Sequence, residues 1–336
     1  MVGSALHLLA TFVTSLALAL YLTPIVRRGA LHFGVVDRPD GLLKRQREPV
    51  AYLGGIAVYL AFLLTLALVF EFEAYILGLL LGGTLMLMLG LFDDMKVLPP
   101  HLKLVGQLLA ALVLVKSGIS IQLEMVPRWL SLALTVLWLV GVTNAVNILD
   151  VSDGLASSVG AVAALALGLV AQLNGDPVIA VTAAALAGSL VGFLRYNRSP
   201  ASIYLGDAGS LFLGFMLAAL SMIGAYTRKN PVGALAPLAI LLVPLLETSL
   251  VSLARVARGQ SPMRGSGDHL ALRLKNRGWS PRAVVLSASG VGVAGGGLGI
   301  AMMLQDVRTA AAIAGCTGTA GLALLVWLWR GCRAPY

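Results

Sequence analysis

Residues 129–154 of the chain read WLSLALTVLWLVGVTNAVNILDVSDG, an apolar run that ends in evenly spaced amide and carboxylate side chains. The run 129–148 is uncharged and has the length, about 17–25 residues, that crosses a bilayer as a helix. Ten further apolar runs cover residues 4–24, 53–70, 75–92, 102–118, 155–173, 178–194, 210–226, 232–250, 283–304 and 309–329. The pattern predicts an all-α membrane protein, a polytopic bundle of about eleven transmembrane helices.

The composition agrees with a membrane protein. The 336 residues are 58% hydrophobic and 12% charged, whereas soluble domains carry about 25% charged residues. No Lys or Arg precedes the first run, so we expect a retained helix rather than a cleaved signal peptide. The two cysteines, Cys316 and Cys332, form neither a disulfide framework nor a zinc-binding pattern. We interpret residues 1–336 as one integral membrane domain.

The charges are distributed unevenly between the two sides of the predicted bundle. Of the 24 basic residues, 19 fall in the odd-numbered loops and the C-terminal tail. The positive-inside rule therefore predicts cytoplasmic odd loops and C-terminus, with the N-terminus outside. Topology and attraction to anionic lipid account for the net charge of +9, so no nucleic-acid partner is expected. Ten of the 15 acids share the cytoplasmic side, which no topology rule demands and which indicates a cation site.

Two aspartates, Asp93 and Asp94, follow the third run directly. At the C-terminal end of an inward-running helix, both the helix dipole and the neighbouring carboxylate favour a bound cation. A divalent ion, or Lys96 and Lys103, would relieve the repulsion. The alternative interpretation is a solvated polar end of the helix, since charge at the interface costs little.

A second motif repeats every third residue at the end of the fifth run. Asn144, Asn147, Asp150 and Asp153 form one slowly turning stripe along a helix. Polar groups of this kind can hold membrane helices together. Two carboxylates at the end of the stripe favour an oxygen-liganded Mg²⁺ and a polar substrate instead.

The connection between the seventh and eighth runs reads RYNRSPASIYLGDAGSLFLGF over residues 195–215. Its glycines permit a tight turn, and Asp207 or Ser210 is a candidate cap for the next helix. Asn197 and Tyr204 lie beside Asp207 together with Arg195 and Arg198. The group favours a polar pocket over a cap alone.

The largest inner loop, 251–282, is predicted to contain a short amphipathic helix with Asp268 as its N-cap and Gly278 as its C-terminal stop. His269, Arg273 and Arg277 are spaced four residues apart on that helix, forming a cationic stripe. We interpret the helix as a lid that neutralises a diphosphate. An interfacial helix on anionic lipid is the alternative.

Taken together, these motifs resemble the polyprenyl-phosphate N-acetylhexosamine-1-phosphate transferases, the WecA/TagO-like enzymes related to the MraY translocases (glycosyltransferase family 4). The resemblance runs in order from Asp37 to about Pro281. It implies transfer of a sugar-1-phosphate from a UDP-sugar to undecaprenyl or another polyprenyl phosphate, in envelope glycan synthesis at the bacterial inner membrane. It further implies a cytoplasmic active site and Mg²⁺, with Mn²⁺ as an alternative.

The resemblance also assigns residues by matching motifs. Catalytic roles fall to Asp93, Asp94, Asp150 and Asp153, and metal binding to Asp207 with Asp94 and Asp150. Substrate binding falls to Lys44, Lys103, Asn144, Asn147, Asn197, Tyr204 and His269. We add Arg264, Arg273 and Arg277 as nearby substrate-binding residues that supply positive charge where the chain departs from the family. The chain departs from the family pattern at Gln46, Val151, Ser152, Glu247, Ala271 and Leu272. The last two replace paired histidines, so His269 alone remains of that element.

Two other classes of membrane protein share some of these features. A transporter of an anionic substrate also has many spans, but it binds near the midplane and often shows internal repeats. A CDP-alcohol phosphatidyltransferase is excluded, because no acid follows Asp153 until Asp176. The identity of the sugar, with N-acetylglucosamine as the default, and a homodimeric state are left open.

Overall fold

A computed structural model describes residues 4–37, 49–69, 74–122, 126–261 and 268–330. Within these ranges the chain folds into thirteen α-helices, one short 3-10 helix and a two-stranded antiparallel sheet. The helices are α1 Ala5–His32, α2 Gly54–Val69, α3 Ala74–Met95, α4 Pro100–Lys116, α5 Arg128–Leu149, α6 Leu155–Asn174, α7 Pro177–Asn197, α8 Gly206–Ile223, α9 Ala236–Ile240, α10 Leu242–Ala257, α11 Leu270–Asn276, α12 Pro281–Leu304 and α13 Val307–Arg330. The 3-10 helix is Pro231–Leu235, and strands β1 Val36–Asp37 and β2 Val50–Ala51 pair with each other.

The prediction of an all-α polytopic membrane protein is confirmed. In the described ranges, eight helices are long and apolar enough to cross a membrane, or nine if one bent pair counts as a span. Two predicted spans correspond to shorter helices, α2 with 16 residues and α4 with 17. The count of eleven therefore stays a prediction.

The ninth predicted span, 232–250, is a broken helix rather than a continuous one. The segment Pro231–Ile240 meets α10 at an angle of 72°. Pro244 has no amide hydrogen, so it cannot bond the carbonyl of Ile240 four residues earlier. The chain accordingly turns at Leu241, which separates α9 from α10.

Helix α8 lies at the centre of the bundle, and 15 of its 18 residues are buried. Glycines let its neighbours approach the backbone of its first turn. A Cβ added to Gly55 of α2 would lie 2.2 Å from the Gly209 nitrogen, and one added to Gly90 of α3 would lie 2.2 Å from the Asp207 carbonyl oxygen. Such close packing requires small residues, and it holds the start of α8 between α2 and α3.

The glycine-rich stretch of α12 has a packing role. A Cβ added to Gly295 would lie 2.3 Å from the Ala239 carbonyl oxygen, and one added to Gly299 would lie 2.8 Å from the Ala236 carbonyl oxygen. These glycines therefore seat α12 against α9.

Contacts between connections gather the ends of α1, α3, α5 and α7 at one end of the bundle. The Tyr204 amide donates to the Ala51 carbonyl at 2.9 Å, which joins the α7–α8 connection to β2. Arg27 of α1 donates from Nε to the Ser202 carbonyl at 2.9 Å. Asp94 of α3 accepts from the Asp207 amide, and Asp153, which follows α5, accepts from the Ala201 amide, so these motifs share one face of the molecule.

Candidate active site

The first turn of α8 is capped from another helix. Gly206 turns the chain at φ +73°, a left-handed conformation that glycine adopts without strain. The next two amides, of Asp207 and Ala208, donate to Asp94 Oδ1 at 2.8 Å and Oδ2 at 3.0 Å. A carboxylate at a helix N-terminus satisfies free amides and complements the dipole. The capping group is thus Asp94 of α3, whereas the sequence predicted Asp207 or Ser210.

Lys103 joins two carboxylates from different helices. Its ammonium contacts Asp93 of α3 and lies 3.0 Å from Asp207 Oδ2 of α8. The other oxygen of Asp93, Oδ1, accepts from the Leu98 amide at 2.7 Å. Because Asp93 is only 8% exposed, its charge depends on these partners rather than on water. One lysine therefore holds together two acids that would otherwise repel each other.

The stripe on α5 divides into two parts. Asn147 donates from Nδ2 to Asp207 Oδ1 at 2.7 Å and to Ser210 Oγ at 2.9 Å. Asn144 lies one turn deeper and exchanges two hydrogen bonds with Gln107 of α4, at 2.8 and 3.2 Å. Asn147 thus contacts the acidic cluster, which consists of Asp93, Asp94 and Asp207 with Lys103. Asn144 instead joins α5 to α4.

Gln107 was missed by the sequence interpretation. It is 2% exposed and lies four residues after Lys103 on α4, so the two side chains share a face of that helix. The available signal was a polar residue at helical spacing from a basic residue already selected.

Asp150 follows the last residue of α5. Burial raises the pKa of its carboxyl to about 8, and the negative charges of Asp207, Asp94 and Asp153 act in the same direction. An acid in this setting is largely protonated at neutral pH unless a cation binds nearby. Because the charges of Asp207, Asp94 and Asp153 contribute to the raised pKa, Asp150 lies within electrostatic reach of these acids.

Asp153 and Asn197 shape the connection between α7 and α8. Asp153 Oδ2 accepts from the Ala201 amide at 3.1 Å. Asn197 is 2% exposed; it accepts from Ser157 Oγ and donates to the Ile203 carbonyl, both at 3.0 Å. The side chain of Asn197 is thus occupied inside the protein, where it fixes this connection.

Tyr204 lies half-buried where that connection meets β2. Its ring centroid is 5.9 Å from that of Tyr52. Burial, and then the charges of Asp153 and Asp37, raise the pKa of Tyr204 to about 12. Its hydroxyl therefore remains a hydrogen-bond donor at neutral pH.

The start of α11 differs from the prediction. His269, not Asp268, occupies the N-cap position, so the predicted capping role of Asp268 is wrong. The Leu270 amide instead donates to Glu247 Oε2 of α10 at 3.0 Å. Asp268 pairs with Arg258 at 2.8 Å, because a buried carboxylate requires a cation.

The two arginines of the predicted cationic stripe contact the C-terminal helix. Arg273 donates to the Leu328 carbonyl at 3.3 Å. Arg277 lies 4.3 Å from the Trp327 ring centroid and donates to the Trp327 carbonyl at 3.3 Å. Both bond the last turn of α13, where carbonyls lack helical partners. The structure therefore does not bring these two arginines to the acidic cluster, and Lys44 and Arg264 lie outside the described residues.

The oxygen atoms of the acidic cluster suit a hard divalent cation, although they are not arranged around a single metal position. Among the described residues, no three His, Cys, Asp or Glu side chains converge on a single metal position. The Lys103 ammonium lies between Asp93 and Asp207, a place where a cation is already favoured. Carboxylate and amide oxygens are the ligand types that Mg²⁺ takes. The chemistry of the donor set fits Mg²⁺, and the Lys103 ammonium contacts two of the same carboxylates.

Comparisons with known proteins identify the family. A model described as glycosyl transferase family 4 matches residues 76–225. The chain is 32% identical over 290 residues to a probable undecaprenyl-phosphate N-acetylglucosaminyl 1-phosphate transferase of Bacillus subtilis, covering 84% of this chain and 81% of that protein. It is 31% identical over 360 residues to a decaprenyl-phosphate N-acetylglucosaminephosphotransferase of Mycobacterium tuberculosis, covering 94% and 88%.

A third relative has a different sugar in its name. The chain is 29% identical over 312 residues to a phospho-N-acetylmuramoyl-pentapeptide-transferase of Halalkalibacterium halodurans, covering 86% of this chain and 94% of that protein. The family match spans α3 to the end of α8, the helices that carry Asp93, Asp94, Asn147 and Asp207. The resemblance inferred from the motifs is confirmed: this chain belongs to glycosyl transferase family 4.

Proposed function

We propose that this protein transfers an N-acetylhexosamine-1-phosphate, by default that of N-acetylglucosamine, from a UDP-sugar to a polyprenyl phosphate and releases UMP. The observation that carries the proposal is the convergence of Asp93, Asn147 and Asp207 around Lys103 at one end of the bundle. The proposal is supported by the relatives in Bacillus subtilis and Mycobacterium tuberculosis, whose names specify polyprenyl phosphates and N-acetylglucosamine.

In the proposed reaction, an oxygen of the lipid phosphate forms a bond to the β-phosphorus of the UDP-sugar. The bond from that phosphorus to the bridging oxygen breaks, and UMP leaves with the electron pair. Phosphoryl transfer asks a protein mainly for positioning and charge neutralisation. Lys103 would bind phosphate oxygens, since an ammonium is a suitable partner for them.

Asp93 would orient the reacting groups rather than remove a proton. A phosphate monoester has a second pKa of about 6, so the lipid phosphate is mostly dianionic at neutral pH. Such a nucleophile carries no proton that a general base would have to remove. The contacts of Asp93 with Lys103 and the Leu98 amide suit an orienting role.

Asp207, with Asp94 or Asp150, would hold Mg²⁺, and Mn²⁺ is the alternative ion. When bound, the ion would neutralise the diphosphate and the leaving UMP. Asp153 and Asn197 would act indirectly, because their hydrogen bonds fix the α7–α8 connection. That connection would present Tyr204 to the nucleotide. Lys44, Arg264 and His269 remain proposed contacts to the substrate phosphates.

We further propose that the face with these acids is cytoplasmic, in a bundle of eleven spans in the bacterial plasma membrane. The excess of basic residues in the odd-numbered loops supports this orientation. The lipid phosphate would then meet the UDP-sugar at the membrane surface. The N-terminus would lie outside.

The test uses purified protein with undecaprenyl phosphate, Mg²⁺ and a panel of UDP-sugars, and it follows UMP release. We expect UMP release with a UDP-N-acetylhexosamine that requires the lipid phosphate, and near-complete loss in Asp207→Asn. Thr319→Ala on the exposed part of α13 is the matched control and should retain activity. Binding of a UDP-sugar without UMP release for any member of the panel would contradict the proposal and favour a transporter.

A further inference from the structure

The sequence of α10 contains one acid, Glu247, that the proposed mechanism does not use. Its side chain is 1% exposed, and it comes from an otherwise apolar stretch, LLVPLLETSL. A carboxylate in such surroundings is strongly unfavourable unless it is fully hydrogen-bonded. We therefore expect each of its two oxygens to have a hydrogen-bond partner within the protein.

Both oxygens of Glu247 are used at the start of α11. Oε1 lies 2.9 Å from His269 Nδ1, and Oε2 accepts from the Leu270 amide at 3.0 Å. The Leu270 contact satisfies one of the amides that the first turn of a helix leaves without partners. One buried carboxylate thus fixes both the position of α11 and the plane of the His269 ring.

The contact also determines which ring nitrogen of His269 carries hydrogen. An ionised carboxylate only accepts hydrogen bonds, so Nδ1 must be the donating N–H. The neutral ring then has its lone pair on Nε2, and a charged ring has a second N–H there. In either case the bond to Nδ1 sets what Nε2 offers to a ligand.

Helix α11 belongs to the same apolar cluster as the end of α5 and the start of α6. Leu270, Ala271 and Leu274 belong to one apolar cluster with Leu149 and Leu155, the residues that flank Asp150 and Asp153. The His269 side chain remains 11% exposed, so its ring is not sealed inside that cluster. The apolar cluster therefore places α11 at the end of the bundle where Asp150 and Asp153 lie.

We propose that Glu247 is a positioning residue that holds α11 in place and keeps a proton on Nδ1 of His269, so that in the substrate complex the charged ring donates from Nε2 to the substrate phosphates. The part that concerns the substrate rests on the proposed function. Glu247 itself touches neither substrate nor metal in this proposal. The ligand class served by His269 Nε2 is the diphosphate of a sugar nucleotide.

Glu247→Gln tests the assignment with little change of shape. A glutamine can still accept from the Leu270 amide, but its NH₂ group then donates to Nδ1, which must give up its hydrogen. Thr248→Val is the matched control on the same helix, because the Thr248 hydroxyl is buried and makes no hydrogen bond within the described ranges.

The decisive measurement is nitrogen NMR of histidine-labelled protein at mildly alkaline pH. The chain has four histidines, so His269→Gln identifies the signal and the other three serve as internal references. We expect a proton on Nδ1 of His269 in the wild type and in Thr248→Val, and a bare Nδ1 with a proton on Nε2 in Glu247→Gln. A bare Nδ1 in the wild type, or the same protonation in wild type and Glu247→Gln, would overturn the proposal.

Transferase activity of the same variants is measured in a separate experiment. We expect kcat/KM for the UDP-sugar to fall by about 10- to 100-fold in Glu247→Gln, as is typical when the partner that orients a functional histidine is removed, and to stay unchanged in Thr248→Val. An unchanged kcat/KM alongside the expected NMR shift would overturn the substrate contact of His269 alone. Absence of transferase activity in the wild type would overturn the proposed function and leave the NMR result to decide the role of Glu247.

Discussion

Two aspartates of the cluster show how differently the protein treats buried carboxyl groups. Asp94 accepts two backbone amides at the start of α8, which compensates for lost hydration. For Asp150, no such hydrogen bond to the carboxyl is seen in the described part of the chain. Burial therefore raises the pKa of Asp150 to about 8. Asp94 thus also holds the backbone of α8, whereas both oxygens of Asp150 are available to a cation.

The raised pKa of Asp150 predicts a pH-dependent stability in metal-free protein. The folded protein holds this proton more tightly than the unfolded chain, so stability is lost as pH rises from about 4 to about 8. Asp150→Asn removes this loss. The melting temperature of the variant relative to wild type, measured in detergent with a chelator, should therefore rise between about pH 6 and about pH 8 and level off above. A difference that is independent of pH would contradict the raised pKa.

Lys103 provides a second prediction at this scale, because its ammonium occupies the place between Asp93 and Asp207. Lys103→Met should lower the melting temperature of the metal-free protein, since two carboxylates are left facing each other. It should also tighten Mn²⁺ binding by about 10-fold, equivalent to about 1.4 kcal/mol.

The exposed Lys96, in the connection between α3 and α4, supplies the control variant Lys96→Met, which should bind Mn²⁺ as the wild type does. Binding is followed by electron paramagnetic resonance of Mn²⁺ without substrate. Weaker binding in Lys103→Met than in Lys96→Met would show that Lys103 does not compete with the cation.

At the scale of elements, glycine contacts decide where α8 begins and hence where its acid lies. Gly90 of α3 faces the Asp207 carbonyl and the Ala208 nitrogen, which an added Cβ would approach to 2.2 and 2.4 Å. Both atoms belong to backbone that Asp94 also holds. The contact between α3 and α8 therefore sets the geometry of the cluster as well as the packing of the bundle.

Gly90→Ala should consequently reduce both stability and activity. Overpacking of this kind costs about 1–3 kcal/mol, and here the atoms that must shift are those of the active site. Gly141→Ala is the matched control within a membrane helix, because a Cβ there meets nothing within 4 Å. Thermal melting and UMP release are measured for both variants. Equal behaviour of the two would contradict the close approach of α3 and α8.

At the scale of the whole molecule, the connections at one end of the bundle carry the acids, and that end is cytoplasmic in the proposed orientation, which rests on the charge bias. Asp93, Asp150 and Asp207 come from three helices that are far apart in the sequence. Asp93 and Asp207 contact the same lysine, Lys103, and Asp150 lies within reach of the charge of Asp207, so these helix ends lie at the same face. Orientation in the membrane is thus a property on which the proposed reaction depends, because UDP-sugars are cytoplasmic metabolites.

The orientation is tested with single cysteines in a background where Cys316 and Cys332 are serine. Val97→Cys lies in the α3–α4 connection, where Val97 is 94% exposed, and Lys229→Cys lies in the exposed connection after α8. In intact cells, a membrane-impermeant maleimide should label Lys229→Cys and not Val97→Cys, and after lysis it should label both. The reverse pattern in intact cells would place the acids outside.

Apolar runs and charge bias in the sequence were sufficient to predict the helical bundle and the sharing of one face by the motifs, because span length and loop charge are local properties. Only the tertiary structure decided that Asp94 caps α8, that Asn144 pairs with Gln107 rather than joining Asp207, and that Arg273 and Arg277 bond α13 instead of the acidic cluster. The physical reason is that a buried polar group takes whichever partner the packed helices bring within hydrogen-bond reach. That choice depends on the approach of helices at glycines such as Gly90, and helical spacing along one segment carries no information about it.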